Sequence, residues 1–350
     1  MPEGGVRVQV ARQLGLSSDN VFGLLAALGG DCAGALTLLP EGAVPQDTGR
    51  YRTVSDSELA NELADLPEHP LLAGEEGVRL SLAGAQNKLP VYWDTSGYAI
   101  PEGSRPSTHI LKTAIPHLKG TVVNEAFCMN LAFQAGLRVP DAQAVMIGTQ
   151  LVYRIERFDR KRTADNSVVR LHQEDFCQAL GVLPELKYEK EGGPGFRHCF
   201  QLIEEWSNEP LPDLQQLLNW ALFNFIIGNA DAHAKNLSFL YADNTVRLSP
   251  FYDLLSTAVY PRLNNTFAMK MGGQKDPRYL QASDLKHFAE ETGIDLRLVK
   301  SSLQRMARQI TAAYPPLSET YRAFPGVAGI IDDITRIIRQ RCSKAEAITG

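Results

Sequence analysis

At 350 residues the chain is long enough for two lobes with cores of their own. Its 44% hydrophobic and 21% charged content is that of an ordinary globular protein, and a net charge of −5 gives no electrostatic case for gripping nucleic acid unaided. The cysteines, Cys32, Cys128, Cys177, Cys199 and Cys342, are scattered and form no Cys-x-x-Cys pair, which fits reduced, mostly buried thiols in a cytoplasm rather than a disulfide framework or a zinc site.

Residues 1–45 start without a basic leader ahead of an apolar run, so no secretory signal is expected. The most apolar stretch, Val21 to Pro40, is broken by Gly29-Gly30-Asp31 and Gly34, so it reads as a helix over Val21 to Leu28 and a strand over Ala35 to Leu39, not a membrane span. This part reads as the tail of a larger N-terminal module. A helix near Ser55 to Ala64 follows, opened by Ser-Asp-Ser-Glu and ended before Pro67.

A β-rich lobe is predicted over residues 46–172. Arg79 to Tyr92 reads as strand, small-residue loop, strand, with Ala83-Gly84-Ala85 bare enough for backbone N–H groups to approach phosphates and Lys88 adding charge. The loop has one glycine and matches no Walker A or G-x-G-x-x-G pattern, and a plain hairpin turn is the competing reading. An alternating strand, Ser107 to Lys112, ends in lysine, and Asn124-Glu125 opens an amphipathic helix that stops at Gly136. A strand lysine followed by a helical glutamate has the order of the kinase ion pair that aligns nucleotide phosphates. A solvated lysine and a first-turn glutamate favoured by the helix dipole would look the same. Two strands are expected in Ala144 to Phe158, around Gly148-Thr149.

From residue 173 the chain turns helical. The crossing near Glu174 and Phe176 is expected to leave free backbone groups for an adenine edge, although a capped helix start also accounts for it. Lys187 to Gly195 reads as a mobile loop holding no regular structure. Phe196 to Trp206 and Leu214 to Ile227 are predicted helices, and a hairpin pairs Leu237 to Tyr241 with Val246 to Leu248. Between them lies Asn229-Ala-Asp231-Ala-His233-Ala-Lys235-Asn236, whose Asp-x-x-x-x-Asn spacing is that of the protein-kinase catalytic loop. There the carboxylate takes the acceptor proton and the amide oxygen ligates a metal on the phosphates. A turn that merely caps the next element is the bland alternative. Asp253, just past a strand, stands where a second metal-binding carboxylate belongs. Residues 283–348 read as helical scaffold, with an apolar face of Leu296, Val299, Leu303, Met306 and Ile310.

The order of these parts is that of an α+β, bilobal protein-kinase-like fold with a β-rich N-lobe and a mainly helical C-lobe. The chain also resembles the HipA-type serine/threonine kinases of bacterial toxin–antitoxin modules. The motifs that carry the resemblance are Ser-x-Ala-Gly-Ala-Gln-x-Lys (Ser81 to Lys88), Thr-His-Ile-Leu-Lys (Thr108 to Lys112), Glu-Arg-Phe-Asp-Arg (Glu156 to Arg160), Gln-Glu-Asp-Phe-Cys-Gln (Gln173 to Gln178), Lys-Tyr-Glu-x-x-Gly-Gly-Pro (Lys187 to Pro194), Asn-x-Asp-x-His-x-Lys-Asn (Asn229 to Asn236) and Pro-Phe-Tyr-Asp (Pro250 to Asp253).

The resemblance implies ATP and Mg²⁺, with Asp231 as catalytic base and Asn236 and Asp253 as metal ligands. Around the nucleotide it implies Ala83, Gly84, Ala85, Gln86, Asn87, Lys88, Lys112, Glu174, Phe176, His233, Lys235, Asn236, Tyr252 and Asp253, with Glu125 as the partner of Lys112. Ser81 matches the serine whose autophosphorylation ejects the phosphate loop; two added negative charges beside the nucleotide phosphates make such a switch physically reasonable. It further implies a helix-turn-helix antitoxin of HipB type that carries the DNA contact, a cytoplasmic location, and a protein substrate, aminoacyl-tRNA synthetases being known targets of the family. Full-length members carry a further N-terminal β-rich subdomain, so residues 1–45 are expected to be its remnant, with the rest lost by truncation or supplied as a separate polypeptide.

Two other functions stay open on the residues alone. Small-molecule kinases of the aminoglycoside or choline type share the Asp-x-x-x-x-Asn loop, but they usually carry His two residues before the Asp, where this chain has Asn229. A catalytically dead co-repressor module is the other, and the presence of Lys112, Asp231, Asn236 and Asp253 argues against it.

Overall fold

In a computed structural model, residues 2–29, 31–37, 41–42, 49–74, 80 and 86–350 are described. The chain divides into two compact units, residues 1–117 with 141–173, and residues 118–140 with 174–350.

The first unit opens with α1 (Gly4–Gln13) and α2 (Val21–Leu28), followed by β1 (Tyr51–Val54), α3 (Asp56–Asp65), β2 (Lys88–Asp94), β3 (Gly97–Pro101) and β4 (His109–Lys112). After α4 (Thr121–Gln134), which belongs to the second unit, come β5 (Ala142–Ile147), β6 (Gln150–Glu156), β7 (Arg160–Arg162) and β8 (Val168–Arg170). The six-stranded sheet runs β1-β3-β2-β4-β6-β5, antiparallel throughout. α3 covers it as its sequence dictates: the Ser55 Oγ accepts the Glu58 N–H and the Glu58 carboxylate accepts the Ser55 N–H at 2.7 Å, closing a capping box. That box holds Leu59 and Leu63 over a core with Leu89, Val91, Ile100, Leu111 and Val152. A smaller core joins α1 to α2 through Val6, Val10, Leu24 and Leu28.

The expected helix over Val21 to Leu28 forms, but no strand forms over Ala35–Thr37, and Leu38 and Leu39 lie outside the described residues. What fixes this stretch instead is charge. Asp31 accepts from Ser107 Oγ at 2.6 Å and Arg160 Nη2 at 2.7 Å, and forms an ion pair with Arg157 at 3.3 Å; Asp159 pairs with both arginines and accepts the Gly34 N–H at 2.8 Å. All four charged groups are buried. Burial raises the carboxyl pKa values of Asp31 and Asp159, and the arginines more than reverse this, leaving both well below the usual range. The Glu156 to Arg160 motif is therefore a buried clamp on the N-terminal segment.

β9 (His172–Asp175) carries the chain into the second unit, which adds α5 (Phe176–Ala179), α6 (Phe196–Trp206), α7 (Pro210–Ile227), β10 (Ser238–Ala242), β11 (Thr245–Leu248), α8 (Ala282–Thr292), α9 (Leu296–Arg322) and α10 (Ala328–Thr349). Helix α4 starts three residues earlier than its sequence suggests, behind the left-handed Gly120. Asn124 and Glu125 are consequently not first-turn polar groups at a surface but fully buried ones, and Asn124 ties the helix to Ser256 through both its amide atoms. The central helix α7 is fastened by Asp213, whose buried carboxylate accepts from Arg138, Arg247, Ser207 and the Leu248 N–H. The expected face of α9 is buried at Val299, Leu303, Met306 and Ile310. The cysteines are free, and all but Cys32 are buried. Among the described residues no helix is long and apolar enough to cross a membrane.

Candidate active site

Helix α7 ends at Gly228, which has φ +72°, and a Cβ there would stand 2.8 Å from that of Ala258. Only glycine makes this turn without strain. The chain emerges as Gly228 to Leu237, the loop that the Asp-x-x-x-x-Asn spacing marks. Asn229 organises it: its side-chain NH₂ donates to Asn224 Oδ1 at 2.8 Å and to the Asp253 carbonyl at 3.5 Å, while its Oδ1 accepts the Asp231 N–H at 3.0 Å. Thr257 Oγ1 accepts the Ala230 N–H at 2.7 Å and donates to the Gly228 carbonyl. Sequence reasoning left both Asn229 and Thr257 out of the site.

This scaffold presents the Asp231 side chain about half exposed, at 49%. His233 lies beneath it, buried, with Nε2 at 3.9 Å from Asp231 Oδ1 and Nδ1 without a hydrogen-bond partner. Burial lowers the imidazole pKa, and Lys187 adds to this while Asp231 opposes it, so the ring is neutral at pH 7. The Asn236 amide donates to the Asp231 carbonyl at 3.4 Å, which directs its NH₂ into the loop and leaves Oδ1 as the amide's acceptor. Lys235 contributes its carbonyl to the Tyr252 hydroxyl, which also bonds Ser238. Asp253 has φ +54°, a left-handed backbone that a residue other than glycine seldom adopts. Among the described residues no three His, Cys, Asp or Glu side chains group to hold a metal. One carboxamide and one carboxylate oxygen, from Asn236 and Asp253, suit Mg²⁺, which takes few protein ligands and fills its shell with phosphate and water oxygens.

Tyr188 was also outside the predicted set. Its hydroxyl donates to Asp231 Oδ1 at 2.6 Å, and its ring meets the His233 ring edge-on. The expectation that Lys187 to Gly195 holds no regular structure fails here. A 3-10 turn, Glu189–Glu191, shapes the segment, and another, Pro184–Leu186, leads into it. Glu189 fastens it, donating its N–H to the Ala268 carbonyl and accepting the Lys270 N–H at 2.6 Å. Gly193 serves compaction, for a Cβ on it would collide with the Leu186 carbonyl.

At the junction, the Phe176 N–H donates to the Leu237 carbonyl and its own carbonyl accepts from Leu180. The Phe176 ring is buried on Phe239, and the Glu174 carboxylate accepts from the Tyr241 hydroxyl at 2.7 Å.

In the first unit, Lys88 and Lys112 are directly opposed on β2 and β4. Asn87 Oδ1 beside them is buried without a partner, whereas Gln86 is committed to the Thr113 carbonyl at 3.0 Å. Lys112 is buried, with Nζ 5.4 Å from the Tyr153 ring centre. Ser81, Ala83, Gly84 and Ala85 lie outside the described residues.

Residues 80–314 match the family model described as HipA-like C-terminal domain, and residues 1–58 the HipA N-terminal domain. The chain is 44% identical over 311 residues to the protein Y4mE of Sinorhizobium fredii, covering 87% of this chain and 74% of that one. It is 34% identical over 343 residues to the serine/threonine-protein kinase toxin HipA of Shewanella oneidensis, covering 93% and 78%. A chain of the S. oneidensis complex of HipA, HipB and operator DNA matches its structure at a TM-score of 0.87 and 31% identity, covering 100% of this chain and 84% of that one. Fold and sequence together define a protein-kinase-like phosphotransferase. The chain belongs to the HipA family of serine/threonine kinases.

Proposed function

We propose that this kinase transfers the γ-phosphoryl group of Mg-ATP to a serine or threonine of a protein, with Asp231 as base. The acceptor oxygen attacks the γ-phosphorus, the bond to the β–γ bridging oxygen breaks, ADP leaves, and the hydroxyl proton passes to Asp231. The observation that carries this reading is the loop itself. A half-exposed carboxylate stands over a neutral histidine, and Asn229 joins the backbone positions of Asp231 and Asp253. Asn236 and Asp253 are assigned to Mg²⁺, which would offset phosphate charge when bound.

Asn87, Lys88 and Lys112 are assigned to the phosphates, with Glu125 as counter-ion of Lys112, and Glu174, Phe176, His233, Lys235 and Tyr252 to the rest of the nucleotide site. The two lysines brought opposite each other on β2 and β4 support the phosphate assignment. Ser81 is the proposed inhibitory autophosphorylation site, with the Ala83 to Lys88 loop it would eject. The kinship with a toxin solved beside HipB and operator DNA supports a HipB-type helix-turn-helix antitoxin as partner and a toxin role, and a cytoplasmic location is proposed with them. An aminoacyl-tRNA synthetase is the proposed class of target.

Incubation with γ-labelled ATP and Mg²⁺ tests the core of this reading. Label is expected on protein, with Ser81 the site found by mass spectrometry. Asp231→Asn should lower transfer by at least about a hundredfold while keeping the thermal shift that ATP produces. Undiminished transfer in that variant removes Asp231 as base.

A further inference from the structure

The second unit contains a cleft of about 330 Å³ lined by Tyr188, Ala230, Asp231, Leu263, Thr266 and Phe267. Resting on the assignment of Asp231 as base, we infer that Tyr188 holds the acceptor position: its phenol occupies the carboxylate oxygen that a substrate hydroxyl must use, and transfer begins when an incoming serine or threonine displaces it.

The chemistry of the bond matches that role. An O–H donor at 2.6 Å from a carboxylate oxygen is what the acceptor would itself present to its base. The loop does not need this bond for its shape, because Asn229 and Thr257 already fix the backbone at Asp231 and Ala230. Nor does the strap need it. Glu189, the residue after Tyr188, is anchored by its N–H on Ala268 and by its carboxylate on Lys270, so the phenol can swing aside while the segment stays in place. The His233 ring, packed edge-on against the phenol ring at 5.2 Å between centres, gives Tyr188 a defined resting position. Lys187 and Lys190 each lie 5.4 Å from the same ring, which places positive charge beside the entry to the base.

A base open to the cleft would also activate water. Water oxygen would then attack the γ-phosphorus, its proton would pass to Asp231, and ADP and inorganic phosphate would form without an acceptor. A charge-assisted hydrogen bond to the carboxylate suppresses this by about tenfold or more. A protein hydroxyl delivered with the binding energy of its whole segment can overcome the same barrier, whereas water cannot.

The test is Mg-ATP hydrolysis by the full chain, phosphatase-treated and without added protein, compared with Tyr188→Phe. This variant keeps the ring on His233 and removes only the hydroxyl. Hydrolysis is expected to rise about tenfold, with the thermal midpoint unchanged, and the double variant Tyr188→Phe with Asp231→Asn is expected to lose the gain. Hydrolysis that falls in Tyr188→Phe overturns the proposal in favour of a phenol that orients the base, and unchanged hydrolysis overturns it outright. Label found on Tyr188 itself also overturns it, because the phenol would then be an acceptor and not a placeholder. Asp231→Asn tested alone separates the two layers. If it abolishes transfer while Tyr188→Phe changes nothing, only the placeholder fails; if it keeps transfer, the base assignment fails first.

Discussion

Asn229 uses both ends of its carboxamide to hold the loop, with a donor end between two acceptors and an acceptor end on the Asp231 N–H. Asn229→Asp keeps the shape but sets a carboxylate oxygen against Asn224 Oδ1 and the Asp253 carbonyl, where nothing donates. Leaving such groups unsatisfied costs about 1–3 kcal/mol, so phosphoryl transfer is expected to fall at least about tenfold, with a lowered thermal midpoint. Transfer at the wild-type rate would mean that Asn229 does not shape the loop. Asp231 and Asn236 could be singled out in the sequence because their spacing is local. Asn229 could not, although it was quoted within the motif, because no spacing shows that its amide reaches the Asp253 carbonyl, 24 positions on and beyond a hairpin. Tyr188 was hidden for the same reason: its bond to Asp231 spans 43 positions.

Elements whose ends are set locally follow the sequence reading, as with α3 and its capping box or α9 begun by Asp295, whose carboxylate accepts the Arg297 N–H at 2.8 Å. Those set by tertiary contacts depart from it. Asn124 looks like a helix start because it is polar, yet it is interior to α4 and spent on Ser256. Ala35–Thr37 has β-compatible residues, but Asp31 and Gly34 are tied to the arginine pair and its aspartate. The glycines of Lys187 to Gly195 suggest a segment without regular structure, although Gly193 is packed against the Leu186 carbonyl beside a 3-10 turn. Gly228 is the junction where helix and loop depend on one residue. Gly228→Ala places a left-handed alanine against Ala258 and Ile337, and the backbone conformation alone costs about 1–2 kcal/mol. The unfolding free energy from urea denaturation is expected to fall by at least that much, with a lower midpoint, and transfer to be reduced because Asp231 follows three residues on. An unchanged midpoint would show that the α7 terminus relaxes without cost.

For the molecule as a whole, the order of parts made the kinase class legible before any geometry, because each part is a short motif and the order survives variation in the scaffold. Buried titration was not legible, since it depends on what surrounds each group. His109 looked like one more residue of an alternating strand, yet it is buried in the first unit, its Nδ1 bonded to Thr108 Oγ1 and its ring edge-on to Trp93. Burial, then the charges of Arg154 and Arg162, push its pKa down to about 4. A histidine with a depressed folded pKa lends full stability above the unfolded value of about 6.5 and loses it as pH falls towards 4. The loss reaches about 2 kcal/mol at pH 5. His233, also lowered by burial, acts in the same direction in the second unit. Asp213 does not contribute in this window: burial raises its pKa, but the bonds from Arg247 and Ser207 outweigh that and leave it depressed, so its stabilisation persists until pH falls below about 4. Urea titrations at pH 7 and pH 5 should therefore show the wild type losing stability on acidification and His109→Phe losing about 2 kcal/mol less. An equal loss in the variant would place the acid sensitivity elsewhere than in β4.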